Sequence, residues 1–142
     1  MQDYIEIKKL WYDCHMMQLG IVCSSAVITA SAKIYADDYL IDDLISKITE
    51  FLNGKVRETT WANGWKGDGT AACVSFRFLH RDKLGHILIE VYMELEDGGN
   101  YSSHNCCFYI STEPGSLERF CKKLPVLKQK SLGIKIVLNE SD

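Results

Sequence analysis

Ala72-Cys-Val-Ser-Phe-Arg-Phe-Leu-His80 and Ile87-Leu-Ile-Glu-Val-Tyr-Met-Glu-Leu95 are the two segments that decide the fold. In both, every second residue is apolar, which is the pattern of a strand with one buried face. A hairpin closed symmetrically through Asp82-Lys-Leu-Gly85 pairs Phe76 with Val91, Phe78 with Ile89 and Arg77 with Glu90. Apolar residues then meet apolar residues and charge meets counter-charge, so the hydrophobic pattern and the register agree.

A third strand is predicted where Cys106, Phe108 and Ile110 continue the alternation. Symmetric closure through Asp97-Gly-Gly-Asn100 places Met93 near Phe108 and Tyr92 near Tyr109. The three segments together predict consecutive antiparallel strands.

The N-terminal half predicts further strands and one helix. Apolar residues alternate at Ile5 and Ile7, from Met17 to Cys23, and from Ala26 to Tyr35, which predicts three strands. From Leu40 to Leu52 they recur at intervals of three and four, which is the period of an amphipathic helix. Asp37 and Asp38 suit the start of this helix, and Gly54 suits its end.

The C-terminal part predicts a second, shorter helix and one more strand. Glu113-Pro-Gly115 opens the helix, Pro125 ends or bends it, and Ile134 to Leu138 adds the strand. We therefore predict an α+β fold, a mainly antiparallel β-sheet with one long and one short helix packed on one face. A chain of 142 residues, 46% of them hydrophobic, fits one domain over 1–142, because a domain of this size buries roughly 70% of its unfolded surface.

Charge and targeting signals narrow the class of protein. A net charge of −3 gives no basic field for nucleic acid, whose binding depends on neutralising several phosphates. We also expect no membrane association and a cytoplasmic location, because the sequence shows no signal-peptide pattern and no apolar run of about 18 residues. The six cysteines lack paired spacing and are predicted to be small buried apolar groups.

No strong catalytic or metal-binding motif is present, so we predict a binding protein with no catalytic residues, metal or cofactor. His104 and Cys106 share a strand face, but Cys107 points to the other face, and a structural zinc site needs four ligands. Glu90 and Glu94 lie about 13 Å apart at Cα, farther than the carboxyl groups of a glycosidase.

The face opposite the apolar stripe is the candidate partner-binding surface. Tyrosines give it large amphipathic contacts, and carboxylates complement a basic protein. The alternative is an ordinary solvated sheet face. Two tryptophans in a glycine-rich loop either anchor a partner or fix the loop to the core. The predicted partner-binding residues are Glu90, Tyr92, Glu94, Glu96, Tyr109, Trp61 and Trp65.

Three segments resemble the WapI-type immunity proteins of bacterial polymorphic-toxin systems over about two-thirds of the chain. They are Lys33-Ile-Tyr-Ala-Asp-Asp-Tyr-Leu40, Asp82-Lys-Leu-Gly-His-Ile87 and Phe108-Tyr-Ile-Ser-Thr-Glu-Pro-Gly-Ser-Leu-Glu-Arg-Phe120. The resemblance implies a small cytoplasmic protein that binds and neutralises the C-terminal domain of a cognate toxin, without a catalytic residue.

Two other classes of function remain open at this stage. The first is a small enzyme or ligand-binding protein whose pocket lies between helix and sheet and is lined by Trp65, His86 or His104. The second is a structural subunit that oligomerises through an exposed strand edge.

Overall fold

The computed structural model describes residues 3–64, 73–95 and 104–140. Within these ranges the chain forms two four-stranded antiparallel sheets and two α-helices, the second continued by a 3₁₀ helix, so the predicted α+β class is confirmed. The strands are β1 (Tyr4–Tyr12), β2 (Met17–Ser24), β3 (Thr29–Ala36), β4 (Thr59–Ala62), β5 (Val74–His80), β6 (Ile87–Leu95), β7 (His104–Thr112) and β8 (Lys135–Leu138). The helical segments are α1 (Asp38–Leu52), α2 (Pro114–Lys123) and the 3₁₀ helix (Leu124–Lys128).

The first sheet has the strand order β3-β2-β1-β8. The predicted C-terminal strand joins it beside β1, with Ile136 opposite Ile7. The predicted third strand starts at Thr29 rather than at Ala26. The Ser25 hydroxyl accepts hydrogen bonds from the backbone N–H groups of Val27 and Ile28, and this local turn delays the strand.

The second sheet has the order β4-β5-β6-β7. The predicted β5–β6 register is confirmed, with Arg77 opposite Glu90. The predicted β6–β7 register is wrong by two residues, because Tyr92 lies opposite Cys107 and Tyr109 lies opposite Glu90. A shift of two keeps every side chain on its predicted face, since side chains alternate with a period of two.

Helix α1 begins and ends where the sequence predicts. The Asp37 carboxylate caps it by accepting a hydrogen bond of 2.9 Å from the backbone N–H of Leu40. Gly54 follows the last turn with φ of +75°, a conformation that costs glycine little. No helix in the described ranges combines the length and apolarity needed to cross a membrane.

The inner faces of both sheets and the helices contribute to one cluster of buried side chains. Over the second sheet, the Phe51 ring of α1 lies 6.2 Å from the Phe78 ring, and β3 of the first sheet approaches β6. The inner face of the second sheet is therefore covered by α1 and β3, and not by helices alone as the sequence suggested.

Helix α2 packs against α1 and β8. Pro114 occupies its first turn, and Leu117, Phe120 and Cys121 are buried. The α-helix ends at Lys123, two residues before Pro125, and the chain continues for five residues as a 3₁₀ helix. With 10 residues in α2 and 15 in α1, the predicted contrast between a short and a long helix largely disappears once this extension is included.

One buried polar side chain, that of Lys9, ties the first sheet to its surroundings. Lys9, only 2% exposed, donates from Nζ to the carbonyl oxygens of Leu127 and Gln129 and lies over the Tyr12 ring. Burial lowers the pKa of this ammonium group. The hydrogen bonds from Lys9 to these carbonyl oxygens hold the 3₁₀ helix against β1.

Candidate functional site

The outer face of the second sheet brings the predicted tyrosines and carboxylates together in adjacent rows. The strand register defines these rows, because residues directly opposite each other share a face. One row contains Thr60, Arg77, Glu90 and Tyr109, and the next contains Ala62, Ser75, Tyr92 and Cys107. Glu94 and Asn105 follow in the third row. We call this surface the outer face.

A hydrogen-bonded network organises the first row. Arg77 donates from Nε and Nη2 to the two carboxylate oxygens of Glu90, at 3.2 and 2.9 Å, and from Nη1 to Glu58, at 2.9 Å. The Tyr109 hydroxyl donates to Oε2 of Glu90 at 2.7 Å. Such a two-bond guanidinium–carboxylate pair fixes both position and orientation.

The network changes the acidity of its members in a consistent direction. Hydrogen bonds to Glu90 and Glu58 raise the pKa of the Arg77 guanidinium. The hydrogen bond to Glu90, together with its negative charge, raises the pKa of the Tyr109 phenol. Tyr109 therefore remains a neutral hydrogen-bond donor, although 46% of its surface is exposed.

Tyr92 occupies the middle of the second row, between the small side chains of Ser75 and Cys107. Its hydroxyl donates to Glu94 at 3.3 Å, and burial followed by the charge of Glu94 raises its pKa. Because the neighbouring side chains are small, space remains around the ring. A trough of about 840 Å³ opens here, lined by residues of all four strands.

Among the described residues, carboxylates outnumber guanidinium groups on the outer face. Glu58, Glu90 and Glu94 contribute three carboxylates, and Arg77 contributes one guanidinium. Lys47 also lines the trough, but its ammonium group lies 3.2 Å from Asp43 on its own helix. The described part of the outer face thus carries more carboxylates than cations, a composition that would favour a basic partner.

Trp61 does not belong to the outer face. It lies in β4 with 1% of its surface exposed, stacks on Phe76 at 5.4 Å and donates from Nε1 to the Leu40 carbonyl oxygen at 3.1 Å. Its predicted role as a surface anchor is wrong, because the ring joins the core and fixes β4 to α1. Two other predicted partner-binding residues, Trp65 and Glu96, lie outside the described residues.

The two histidines that were predicted to line a pocket between helix and sheet, His86 and His104, do not lie close together. His86 precedes β6 and bonds to Asp82 at 2.6 Å, whereas His104 opens β7 and pairs with Leu95. They lie at opposite ends of the sheet, about 30 Å apart along β6, given roughly 3.3 Å per residue. Among the described residues, no group of three or more His, Cys, Asp or Glu side chains has the arrangement of a metal site.

The cysteines divide into buried and accessible thiols, where the sequence predicted buried ones. Cys23, Cys73 and Cys121 are buried, Cys106 is half-buried, and Cys14 and Cys107 are exposed. Burial raises the pKa of the Cys23 thiol and keeps it protonated.

Sequence reasoning missed Glu58 as a member of the site. It precedes β4, whose four residues give too short an alternation to identify a strand or its face. Only the pairing of β4 with β5 brings its carboxylate to Arg77.

Comparison with known proteins finds no match to any family model, to any curated protein or to any solved structure.

Proposed function

We propose that this protein is a cytoplasmic immunity protein that neutralises a cognate, basic bacterial toxin domain by binding it through the outer face. The proposal combines the resemblance of three segments to the WapI-type immunity proteins with the geometry of β4 to β7. The observation that carries it is the trough on the outer face, which is lined by Arg77, Glu90 and Tyr92 and whose central side chains are held in place by the Arg77–Glu90–Tyr109 network.

Preorganisation is what distinguishes the outer face from an ordinary solvated sheet. An interface loses affinity when mobile side chains must be ordered, at roughly 0.5–1.5 kcal/mol for each long side chain. Here Arg77 and Tyr109 are already fixed by hydrogen bonds to Glu90. Binding of a partner to this face would therefore cost little conformational entropy for these two side chains.

The members of the face have different roles in the proposed complex. Glu90 accepts hydrogen bonds from Arg77 and Tyr109 of its own chain, so it acts as a positioning residue. Tyr109 and Glu94 are the contact residues, the first through exposed aromatic surface and the second through a carboxylate beside the trough. Tyr92 lies between them and contributes the wall of the trough.

The test is a protection assay with the C-terminal domain encoded by the reading frame upstream of this chain's gene. Induction of that domain alone is expected to stop bacterial growth, and co-expression of this chain is expected to restore it. The purified pair should form a complex whose affinity falls as salt rises, because charge complementarity contributes to docking. Growth arrest that this chain does not relieve would contradict the proposal.

A further inference from the structure

Strand β7 lies at the edge of the second sheet as the described residues form it. It pairs with β6 along all nine residues, from His104 opposite Leu95 to Thr112 opposite Ile87, without a register shift. On its other side, no strand of residues 3–64, 73–95 or 104–140 pairs with it. An open edge presents unpaired backbone N–H and C=O groups that can bond to another strand.

The end of this edge is closed by two side chains from the first sheet. The backbone N–H of Ser111 donates to Asp3 at 2.9 Å, and its carbonyl oxygen accepts from Nδ2 of Asn139 at 2.8 Å. Both backbone groups of Ser111 therefore point away from β6. Since backbone direction alternates in an antiparallel strand, those of Tyr109, Cys107 and Asn105 point the same way.

Among the described residues, the outward backbone N–H and C=O groups of Asn105, Cys107 and Tyr109 have no hydrogen-bond partner. Within the described ranges, no hydrogen bond other than those of the β6 ladder involves the backbone of Asn105, Cys107 or Tyr109. Proteins usually protect such an edge with lysine, proline or a bulge. Residues His104 to Thr112 contain neither lysine nor proline, and their register is regular.

We propose that a second copy of this chain pairs with β7 across a twofold axis at Cys107, joining the two second sheets into one eight-stranded sheet. In antiparallel register, Cys107 faces Cys107 of the partner subunit, and Tyr109 faces Asn105 of the partner subunit. Each facing pair exchanges two hydrogen bonds. Six bonds form, and they use all six outward backbone groups of each subunit.

Symmetry and charge favour a second copy over an unrelated strand. The three open residues are spaced evenly about Cys107, so the edge is complementary to itself, as a twofold interface requires. No charged side chain of one β7 faces a like charge of the other, because the only ionisable side chains in the strand are His104, two cysteines and Tyr109. The half-buried Phe108 and Cys106 meet across the seam on the inner side and gain burial.

The pairing leaves the outer face accessible and places two such faces side by side. This inference does not depend on the toxin, because its test needs only the protein itself. A contact confined to one strand edge is small, so we expect a weak dimer that dissociates on dilution.

The test compares Cys107→Pro with Cys107→Ala by sedimentation across a concentration series. Proline removes an outward N–H without touching the β6 ladder, and an edge strand tolerates it. Wild type and Cys107→Ala should dimerise alike, whereas Cys107→Pro should weaken the dimer by roughly tenfold or more, because two intersubunit hydrogen bonds are lost. A wild-type protein that stays monomeric at millimolar concentration would overturn the proposal, as would a folded Cys107→Pro protein that dimerises normally.

Amide hydrogen exchange of the wild-type protein provides a second measurement that needs no variant. The amides of Asn105, Cys107 and Tyr109 should exchange quickly in dilute solution and slowly at high concentration. Those of Cys106 and Phe108, which face β6, should be protected at both. Dimerisation that leaves the first three amides unprotected would place the interface elsewhere.

Discussion

Asn139 links the ends of both sheets and offers a quantitative test of how they are joined. From Nδ2 it donates to the carbonyl oxygens of Asp3 and Ser111, at 3.0 and 2.8 Å, and its Oδ1 accepts from the Thr112 hydroxyl at 2.8 Å. Its φ of +62° lies in the left-handed region, which asparagine adopts more readily than alanine. Asn139→Ala therefore loses three hydrogen bonds and introduces backbone strain.

The magnitude follows from these contacts. Three hydrogen bonds at about 0.5–1.5 kcal/mol each, partly replaced by water, and a backbone penalty of about 1 kcal/mol predict a loss of about 3 kcal/mol for Asn139→Ala. Asn139→Gly relieves the strain and should lose about 2 kcal/mol. Thr112→Val removes one of the three bonds, and its cost should shrink when Asn139 is already alanine.

The assay is urea unfolding followed by circular dichroism. Asn105→Ala is the matched control, because this asparagine is exposed and makes no side-chain hydrogen bond among the described residues; it should stay within about 0.5 kcal/mol of wild type. If Asn139→Ala were as stable as that control, the proposed link between the sheets would be refuted.

Two further predictions concern the core. Trp61→Phe keeps an aromatic ring but loses the 3.1 Å hydrogen bond to the Leu40 carbonyl, so urea unfolding should show a loss of about 2 kcal/mol, and unchanged stability would refute the assigned contact. Burial raises the pKa of Cys23, so the folded protein keeps this proton where the unfolded chain loses it, and stability should fall as pH rises above about 9. Urea unfolding of Cys23→Ala between about pH 9 and 10 should show a decline smaller by about 1.4 kcal/mol per pH unit, whereas the exposed Cys14→Ala should match wild type.

The β5–β6 hairpin could be predicted residue by residue because two independent signals agree. The apolar stripes and the short turn at Asp82 to Gly85 select the same register, and Arg77 meets Glu90 in both. The turn is well specified, since the Asp82 carboxylate accepts from the Leu84 N–H at 2.8 Å and Gly85 has φ of +97°.

The β6–β7 register could not be predicted in the same way. A shift by two residues leaves the apolar stripe on the same face, so the pattern does not distinguish the two registers. The observed shift nevertheless creates the central feature of the site, because it brings Tyr109 and not Ser111 opposite Glu90.

The sequence pattern also does not predict the division into two sheets. Alternation shows that a segment is a strand but not which strand it pairs with. Strand β8 pairs with β1, although the two strands lie near opposite ends of the sequence. One signal was overlooked: Lys9 continues the buried period of Ile5 and Ile7, and a lysine at such a position predicts an ammonium group held by internal acceptors.

The most direct test of the central claim is the affinity for the proposed toxin domain, measured by calorimetry with two matched double variants. Tyr109→Ala with Glu94→Lys changes the outer face and spares the Arg77–Glu90 pair. Tyr39→Ala with Glu50→Lys makes the same chemical changes on exposed positions of α1, where Tyr39 is 76% exposed. We predict a loss of about a hundredfold for the first variant and less than about threefold for the second. Equal affinities for the two folded variants would contradict docking on the outer face.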